Sequence, residues 1–253
     1  GALPSGGRPQ LWPWLMIRYD ETMATSIPPS LIFPPVEESD KDGLLALGGV
    51  LRPEWLLDAY SHGIFPWPMG DETPMAWWSP DPRGILPLDR FHVSRRLRRT
   101  IRQGRFEVTC DRAFRDVMVG CGSAAGRIAN TWVTPAMVEA YARLHRLGYA
   151  HSVETWRDGR LVGGTYGVSI AGLFAAESKF FRERDASKVA LAYLVKHLER
   201  RGYSLLDIQM VTPHTARLGA MEISRAEYLR RLAAALGRAV SFGDRLSVGA
   251  SDF

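Results

Sequence analysis

Residues Ser204–Met210 read Ser-Leu-Leu-Asp-Ile-Gln-Met, and their apolar character after a helical segment predicts a short buried strand. Alternate side chains of a strand point to the same face, so Asp207 and Gln209 can touch each other. A carboxylate and an amide in apolar surroundings are costly to bury unless they are hydrogen-bonded. The pair is therefore either a satisfied structural contact or one wall of a reaction site.

Composition narrows the class of protein. The chain has 253 residues, of which 46% are hydrophobic and 23% charged, as in ordinary globular proteins. Cys110 and Cys121 are spaced neither as a redox pair nor as a disulfide framework, and the sparse histidines form no metal-ligand pattern. No apolar run is long enough to span a bilayer. We expect a monomeric cytoplasmic protein with no metal and no membrane contact.

One short segment concentrates positive charge. Residues Ser94–Arg105 contain six arginines and no acidic residue. On a helix, Leu97 and Ile101 would form an apolar stripe that docks on the core. A second stripe at helical spacing would present guanidinium groups, either to water alone or to phosphates, and the excess charge favours phosphates. This second stripe consists of Arg95, Arg98, Arg99 and Arg102.

The order of patterns predicts an arm, two domains and a tail. Residues 1–35 are proline-rich and predict an irregular arm, and residues 36–92 predict a small domain. Five prolines surround the tryptophans of Gly63–Pro82, which predicts positioned loops rather than strands there. Residues 93–236 predict the catalytic domain, and residues 237–253 a tail without a clear signal.

The second half of the chain predicts an α/β fold. After Ala150, a strand hairpin turning at Asp158-Gly159 and a further strand precede a helix, Lys188–Arg200, and then the strand Ser204–Met210. The strand–helix–strand crossover should be parallel and right-handed. This order resembles the acetyltransferase superfamily, in which the ligand lies where two central strands separate. The matching loop, Phe180–Lys188, contains no glycine to approach a pyrophosphate, which disfavours coenzyme A as the acyl donor.

Nine short motifs occur in order and carry a closer resemblance. They are G-I-F-P-W (Gly63–Trp67), W-W-S-P-D-P-R (Trp77–Arg83), T-W-V-T (Thr131–Thr134), A-Y-x-R-L-H-x-L-G (Ala140–Gly148), G-G-x-Y-G-V (Gly163–Val168), L-F-x-x-E-S (Leu173–Ser178), A-S-K (Ala186–Lys188), D-x-Q (Asp207–Gln209) and H-T-x-x-L-G-A (His214–Ala220). With these motifs the chain resembles the bacterial leucyl/phenylalanyl-tRNA–protein transferases over roughly residues 33–236.

The resemblance implies an enzyme with a small N-terminal domain and an acetyltransferase-like (GNAT) domain. Such an enzyme moves Leu or Phe, with Met as a third candidate, from aminoacyl-tRNA to the N-terminal Arg or Lys of a protein. The new peptide bond marks that protein for degradation by the N-end rule. The aminoacyl ester supplies the driving force, so no cofactor is implied.

The resemblance also implies roles for individual residues. Gln209 would orient the attacking amine, with Asp207 fixing the direction of its amide, and Glu177 would hold the α-ammonium of the donor. Thr165 is smaller than the apolar residue of typical members, which leaves the donor side chain open. The residues implied to surround the donor, some of which also fit a core role, are Trp67, Trp132, Thr165, Phe174, Tyr60 and Tyr141.

The arginine stripe would then bind the acceptor stem of the tRNA through its phosphates, without reading its sequence. Three other functions stay open from the sequence. They are a coenzyme A-dependent N-acyltransferase, a catalytically silent tRNA-binding module, and a related tRNA-dependent transferase with a different donor or acceptor residue.

Overall fold

A computed structural model describes residues 27–70, 73–123 and 133–253. The helices are α1 (Pro53–Ser61), α2 (Arg95–Arg102), α3 (Phe114–Gly122), α4 (Pro135–Arg146), α5 (Ala186–Arg201), α6 (Pro213–Ala216) and α7 (Arg225–Leu236). The strands are β1 (Leu44–Leu47), β2 (Phe65–Pro66), β3 (Ala76–Trp78), β4 (Arg83–Ile85), β5 (Glu107–Cys110), β6 (Ala150–Arg157), β7 (Arg160–Ile170), β8 (Leu173–Phe181), β9 (Leu205–Gln209) and β10 (Met221–Ile223). The α/β fold class is confirmed.

The smaller sheet is antiparallel and has the strand order β1-β3-β2. The prediction of loops throughout Gly63–Pro82 is therefore wrong, because β2 and β3 both lie in this range. Pro66 is tolerated because β2 is an edge strand, where the missing N–H interrupts no second ladder. The other prolines of this range lie between strands, as expected from their inability to donate a hydrogen bond.

The larger sheet has seven strands in the order β10-β4-β9-β8-β7-β6-β5. Its neighbours are antiparallel except for β8 and β9, which α5 connects, so the predicted parallel crossover is confirmed. The parallel pairing runs only from Leu173 opposite Leu205 to Ala175 opposite Asp207. Strand β8 continues to Phe181 without β9 beside it. The sheet therefore opens between its two parallel strands.

Apolar clusters cover both faces of this sheet. Helices α1, α3, α4 and α7 contribute to the first cluster, and α2, α5 and the chain after α7 contribute to the second. Leu97 and Ile101 of α2 are buried in the second cluster, as their stripe predicts. Burial of each such side chain contributes about 1.5–3 kcal/mol to folding.

Capping side chains set the helix starts. Thr134 accepts a hydrogen bond from the Met137 N–H before α4, and Ser224 accepts one from the Glu227 N–H before α7. Asp111, an N-cap candidate by residue type, does not cap α3, whose N-cap position is Ala113. Its φ angle is +57° and its carboxylate holds Ser152 N at 2.9 Å, so the helix starts later.

The boundaries predicted for an arm, two domains and a tail stay predictions. Strand β4 lies in the range of the predicted small domain but joins the larger sheet. The tail packs on the preceding fold, where the Arg200 guanidinium pairs with the Asp252 carboxylate and His197 Nε2 contacts Phe242 O at 2.9 Å. No helix in the described parts of the chain is long and apolar enough to cross a membrane.

Candidate active site

The opening between β8 and β9 brings three of the predicted polar side chains to one place. Asp207 and Gln209 come from the end of β9, and Glu177 comes from the part of β8 that β9 no longer accompanies. One terminal atom of the Gln209 amide lies 3.4 Å from Glu177 Oε1. The three side chains therefore belong to one site rather than to separate surfaces.

Asp207 is held by an arginine that the sequence patterns did not single out. Arg83 Nε donates to Asp207 Oδ1 at 3.0 Å, and Arg83 Nη2 donates to Oδ2 at 2.6 Å. Both side chains are almost completely buried. The Tyr228 hydroxyl also donates to Oδ2, at 2.9 Å. Asp207 therefore meets its desolvation cost with a bidentate ion pair and further hydrogen bonds.

The guanidinium of Arg83 is itself enclosed. It lies over the rings of Phe65 and Tyr228, with its central carbon 4.7 and 4.5 Å from their centroids. Arg83 Nη1 donates to Gly63 O at 2.8 Å. Burial acts to lower the pKa of Arg83, but Asp207 and the neighbouring acidic groups together more than offset this effect, so the pKa rises above its usual range. Gly63, Phe65 and Arg83, which come from the first third of the chain, therefore hold Asp207 and the end of β9 in place.

The end of β9 has an unusual backbone. Gln209 has a φ angle of +59°, which is uncommon for a residue other than glycine. Its N–H donates to Asp207 Oδ1 at 2.9 Å, which fixes the turn. The predicted strand end at Met210 is wrong, because the chain turns at Gln209 and leaves the Met210 side chain 47% exposed. The neighbouring strand approaches this turn closely at Gly84. A Cβ atom at this position would lie 2.7 Å from the backbone carbonyl carbon of Met210, so there is no room for a side chain.

One orientation of the Gln209 amide satisfies its nitrogen, and in that orientation its oxygen is satisfied when the Glu177 carboxyl group is protonated. Its nitrogen then donates to Ala176 O at 2.9 Å and to Ile208 O at 3.0 Å, and its oxygen faces Glu177. We adopt this orientation because the reverse one directs the oxygen at two carbonyl oxygens. Asp207 contacts the backbone of Gln209 and not its side-chain amide. The implied influence of Asp207 on the direction of the amide therefore acts through the backbone of Gln209 and not by direct contact with the amide.

A β-bulge presents Glu177. Tyr166 pairs with Ser178 and Gly167 pairs with Ala176, so Glu177 is the extra residue on β8. Bulges occur next to active sites, where they redirect one side chain. Two buried hydroxyls hold the redirected carboxylate: Tyr60 donates to Oε1 at 2.7 Å and Tyr141 to Oε2 at 3.4 Å. The two hydroxyl oxygens lie 2.5 Å from each other.

The surroundings of Glu177 favour its neutral form. Protein atoms surround the carboxyl group, although the residue as a whole is only half-buried. Burial and the charge of Asp207 raise the pKa of Glu177 to about 8, against the lowering effect of the Tyr60 hydrogen bond. Burial and Glu177 raise the pKa of both Tyr60 and Tyr141, which keeps these hydroxyls as donors. The site therefore holds a carboxyl group that can change protonation state near neutral pH.

The predicted donor-binding residues are divided by the fold. Tyr60 and Tyr141 contact Glu177, and contact with a substrate stays a prediction for them. Thr165 is buried one strand away, with its hydroxyl donating to Ser178 O at 3.0 Å. Trp67 is partly exposed and packs 6.5 Å from the Phe65 ring, next to the Arg83 pair. Trp132 lies outside the described residues.

Phe174 does not line an open surface. It is buried on the α5 side of the sheet, where its ring centroid is 5.8 Å from that of Phe242. Tyr60 and Tyr141, which hold Glu177, belong to the cluster on the opposite side. The prediction that Phe174 surrounds the donor side chain is corrected for this reason, since alternate strand residues point to opposite faces.

Positive charge gathers beside the opening. All four arginines of the predicted stripe (Arg95, Arg98, Arg99 and Arg102) are exposed on α2. Asp185 links α2 to the start of α5, because Arg96 Nη2 lies 3.4 Å and Lys188 Nζ 3.5 Å from its carboxylate. His214 lies in α6. Burial and, next in size, the positive charges of Lys179 and Lys188 lower the pKa of its imidazole. Arg102 is partly engaged, since its Nε donates to Phe253 O at 2.6 Å.

The parts of the chain that the structure describes contain no group of three His, Cys, Asp or Glu residues placed to hold a metal ion. The polar groups at the opening are the Glu177 carboxyl group, the Gln209 amide oxygen and nearby cations. This arrangement can orient an amine, and Glu177 can accept a proton from it when the carboxyl group is ionised.

Comparison with known proteins gives the family. A profile described as leucyl/phenylalanyl-tRNA protein transferase matches residues 85–233, and one described as its N-terminal domain matches residues 49–81. The leucyl/phenylalanyl-tRNA–protein transferase of Anaeromyxobacter sp. (strain Fw109-5) is 53% identical over 213 residues, covering 84% of this chain and 90% of that protein. The transferase of the same name from Aromatoleum aromaticum (strain DSM 19018 / LMG 30748 / EbN1) is 51% identical over 223 residues, covering 87% of this chain and 89% of that protein.

Among solved structures, a GCN5-related N-acetyltransferase-like protein from Streptococcus suis 89/1591 aligns with 68% of this chain and 64% of its own. The TM-score is 0.33 and the identity 14%. The matched transferase profile, in contrast, spans more than half of the chain. The chain belongs to the leucyl/phenylalanyl-tRNA protein transferase family.

Proposed function

We propose that this protein transfers Leu or Phe, with Met as a third donor, from aminoacyl-tRNA to the N-terminal Arg or Lys of an acceptor protein. The observation that carries the proposal is the meeting of Glu177 and Gln209 in the opening between β8 and β9. Membership of the family supports the donor and acceptor classes.

The reaction exchanges an ester for an amide. The neutral α-amine of the acceptor attacks the ester carbonyl, a C–N bond forms, and the C–O bond to the terminal ribose breaks. The ribose hydroxyl leaves with a proton, and the acceptor nitrogen loses one. The ester supplies the driving force, so the protein must chiefly orient the two substrates and stabilise the developing charge.

Gln209 acts as the orienting group in this proposal. Its nitrogen is engaged by two carbonyl oxygens, so its oxygen has a fixed direction from which to accept a hydrogen bond of the attacking amine. An amide has no useful basicity, so Gln209 does not take the proton. Asp207 and Arg83 act through the backbone of Gln209 and are positioning residues.

The pKa of Glu177 suits this residue to bind an α-ammonium group or to take a proton from it. A protein α-ammonium has a pKa of about 7.7–8.0, and Glu177 has its pKa raised to about 8. Transfer between groups of matched pKa costs little free energy. An arriving α-ammonium, whether of the donor or the acceptor, would therefore be held by an ionised Glu177 and can pass a proton to it.

The exposed arginines of α2 hold the acceptor stem of the tRNA. Asp185 connects α2 to Lys188 at the start of α5, so a phosphate backbone lying along α2 would continue towards the opening. Contacts to phosphates position the stem without reading its sequence. The positive charge of this surface supports tRNA as the anionic donor. Such a donor does not need the glycine-containing loop that binds the pyrophosphate of coenzyme A.

The test is a panel of charged tRNAs and of peptides that differ only in their N-terminal residue. We expect transfer of Leu and Phe to peptides that begin with Arg or Lys, and its loss in Gln209→Ala protein that still binds the tRNA. Transfer from an acyl thioester of coenzyme A without RNA would overturn the proposal. Undiminished transfer by Gln209→Ala would assign the chemistry to another site.

A further inference from the structure

Strand β8 ends in an aromatic residue that the fold leaves exposed. Phe181 is 62% exposed, whereas Phe180, directly before it, is buried. Single exposed apolar side chains are common on protein surfaces, so exposure alone assigns no role to this ring. The position of the ring and the charges around it decide whether it has one.

Strand pairing shows to which face of the larger sheet Phe181 points. It pairs with Gly163 of β7, where a Cβ atom would lie 2.7 Å from the Cβ atom of Ala186, the first residue of α5. Opposite residues of antiparallel strands share a face, so Phe181 points to the α5 side of the sheet. Phe180 points to the other side, where its ring meets Gly120 of α3. The exposed ring therefore lies beside the start of α5, on the face that also carries α2.

Basic side chains surround this position. The segment after β8, residues 182–188, reads Arg-Glu-Arg-Asp-Ala-Ser-Lys. Glu183 meets two cations, Arg157 Nη1 at 2.7 Å and Arg105 Nη2 at 3.7 Å. Asp185 likewise meets one cation of α2 and one of α5. Because each acidic residue of the segment is shared by two basic ones, the surface keeps a net positive charge that is continuous with α2.

The same face leads from Phe181 to the proposed reaction site. Lys179 precedes Phe181 by two residues on β8 and therefore shares its face. The charge of Lys179, after burial, lowers the pKa of His214 in α6, a helix that begins four residues after Gln209. Glu177 lies four residues before Phe181, which is at most about 13 Å along a strand. An RNA strand whose terminal ester lies at Glu177 would thus pass the ring on its way to α2.

We propose that Phe181 stacks on an unpaired base near the 3′ end of the donor tRNA. An exposed aromatic ring among basic side chains suits single-stranded RNA, because the ring stacks on a base while the cations hold phosphates. A base-paired stem offers no free base face, and the terminal adenosine carries the ester into the opening. The base that reaches Phe181 is therefore one of the unpaired bases before this adenosine. The inference rests on the proposed function, since it requires tRNA as the donor.

A binding cycle with two RNAs and the full-length chain tests the contact. The first RNA is Phe-tRNA with a stable amide in place of the ester, and the second is the same RNA with abasic nucleotides at the unpaired positions before the terminal adenosine. Phe181→Ala should weaken binding of the first RNA about 5- to 150-fold, since stacking on one base is worth that factor. It should change binding of the second RNA less than about twofold. Equal losses for the two RNAs would overturn the proposal.

Two variants and the salt dependence separate stacking from a general loss of structure or charge. Phe181→Tyr keeps an aromatic ring and should restore most of the affinity that Phe181→Ala loses. Val119→Ala is the matched control, because Val119 is an apolar residue 50% exposed on α3, at the opposite face, and should bind both RNAs as the parent does. The slope of log K against log salt should be unchanged in Phe181→Ala, since no phosphate contact is removed. A slope reduced by about 1 would assign the loss to phosphate contacts and overturn stacking.

The outcomes also separate this inference from the proposed function. If the parent transfers Phe from tRNA and Phe181→Ala binds the first RNA equally well, the stacking contact alone is refuted. If the parent neither binds nor uses aminoacyl-tRNA, the proposed function fails and this inference fails with it. A raised KM for the acceptor peptide in Phe181→Ala, at unchanged RNA affinity, would assign the ring to the acceptor protein and refute the proposal.

Discussion

Replacing Arg83 by Met should strongly destabilise the fold and disturb the site. Arg83 and Asp207 are almost completely buried and share two charge-assisted hydrogen bonds, at 2.6 and 3.0 Å. In Arg83→Met, the Asp207 carboxylate would remain buried with only Tyr228 and the Gln209 N–H as hydrogen-bond partners. Removing one partner of a buried pair costs about 3–5 kcal/mol because the other charge is left uncompensated.

Asp207→Asn should be less damaging in the Arg83→Met background than in the parent, because it removes the uncompensated charge. Urea unfolding of the parent, both single variants and the double variant gives this coupling directly. Arg115→Met is the control, since Arg115 pairs with Glu139 at an exposed position and should lose far less stability. Additive effects, or a loss below about 1 kcal/mol for Arg83→Met, would refute the view that this pair supports the site.

Three further predictions follow from single contacts. The folded-state pKa of Glu177 is raised from 4.5 to about 8, because the folded protein favours the protonated carboxyl group. The stabilisation of the folded state by this group is therefore complete below pH 4.5 and is lost as the pH rises through 8. In Glu177→Gln, unfolding free energies measured across this window should lack that decline. Gly84→Ala should cost about 1–3 kcal/mol in thermal or urea unfolding, because the new Cβ meets backbone atoms at 2.7–2.9 Å, whereas Gly237→Ala meets nothing closer than 3.7 Å. Arg98→Gln/Arg99→Gln should weaken binding of every aminoacyl-tRNA alike and reduce the slope of log K against log salt by about 1–2, and an unchanged slope would remove α2 from the interface.

Local signals in the sequence predicted most of the larger sheet. Asp158-Gly159 marks the turn between β6 and β7, whose ends pair at Arg157 and Arg160. Thr134 and Ser224 mark helix starts because their side chains accept hydrogen bonds from N–H groups within the next turn. These features depend on residues a few positions apart, which a single sequence displays.

The parts of the site that the sequence did not reveal depend on distant contacts or on exact register. Arg83 is 124 positions from Asp207, and nothing in a proline-rich segment indicates the partner of its guanidinium. The bulge at Glu177 and the positive φ at Gln209 arise from sheet pairing, which alternation of side chains cannot predict. The motif ending in Arg83 was the available signal, because a charged residue in a segment rich in tryptophan needs a partner if that segment is buried.

The charges of the site explain how it can work without a strong base. Arg83 neutralises Asp207, so the negative charge under Gln209 is already compensated before a substrate arrives. Glu177 is the acid left to titrate, and although burial raises its pKa, an entering cation favours its ionised form. An α-ammonium is such a cation, and it also becomes a nucleophile once it gives up a proton. In the proposed reaction, the ionised carboxylate of Glu177 would therefore bind the ammonium and take its proton to give the amine, while the fixed Gln209 oxygen would direct the nitrogen.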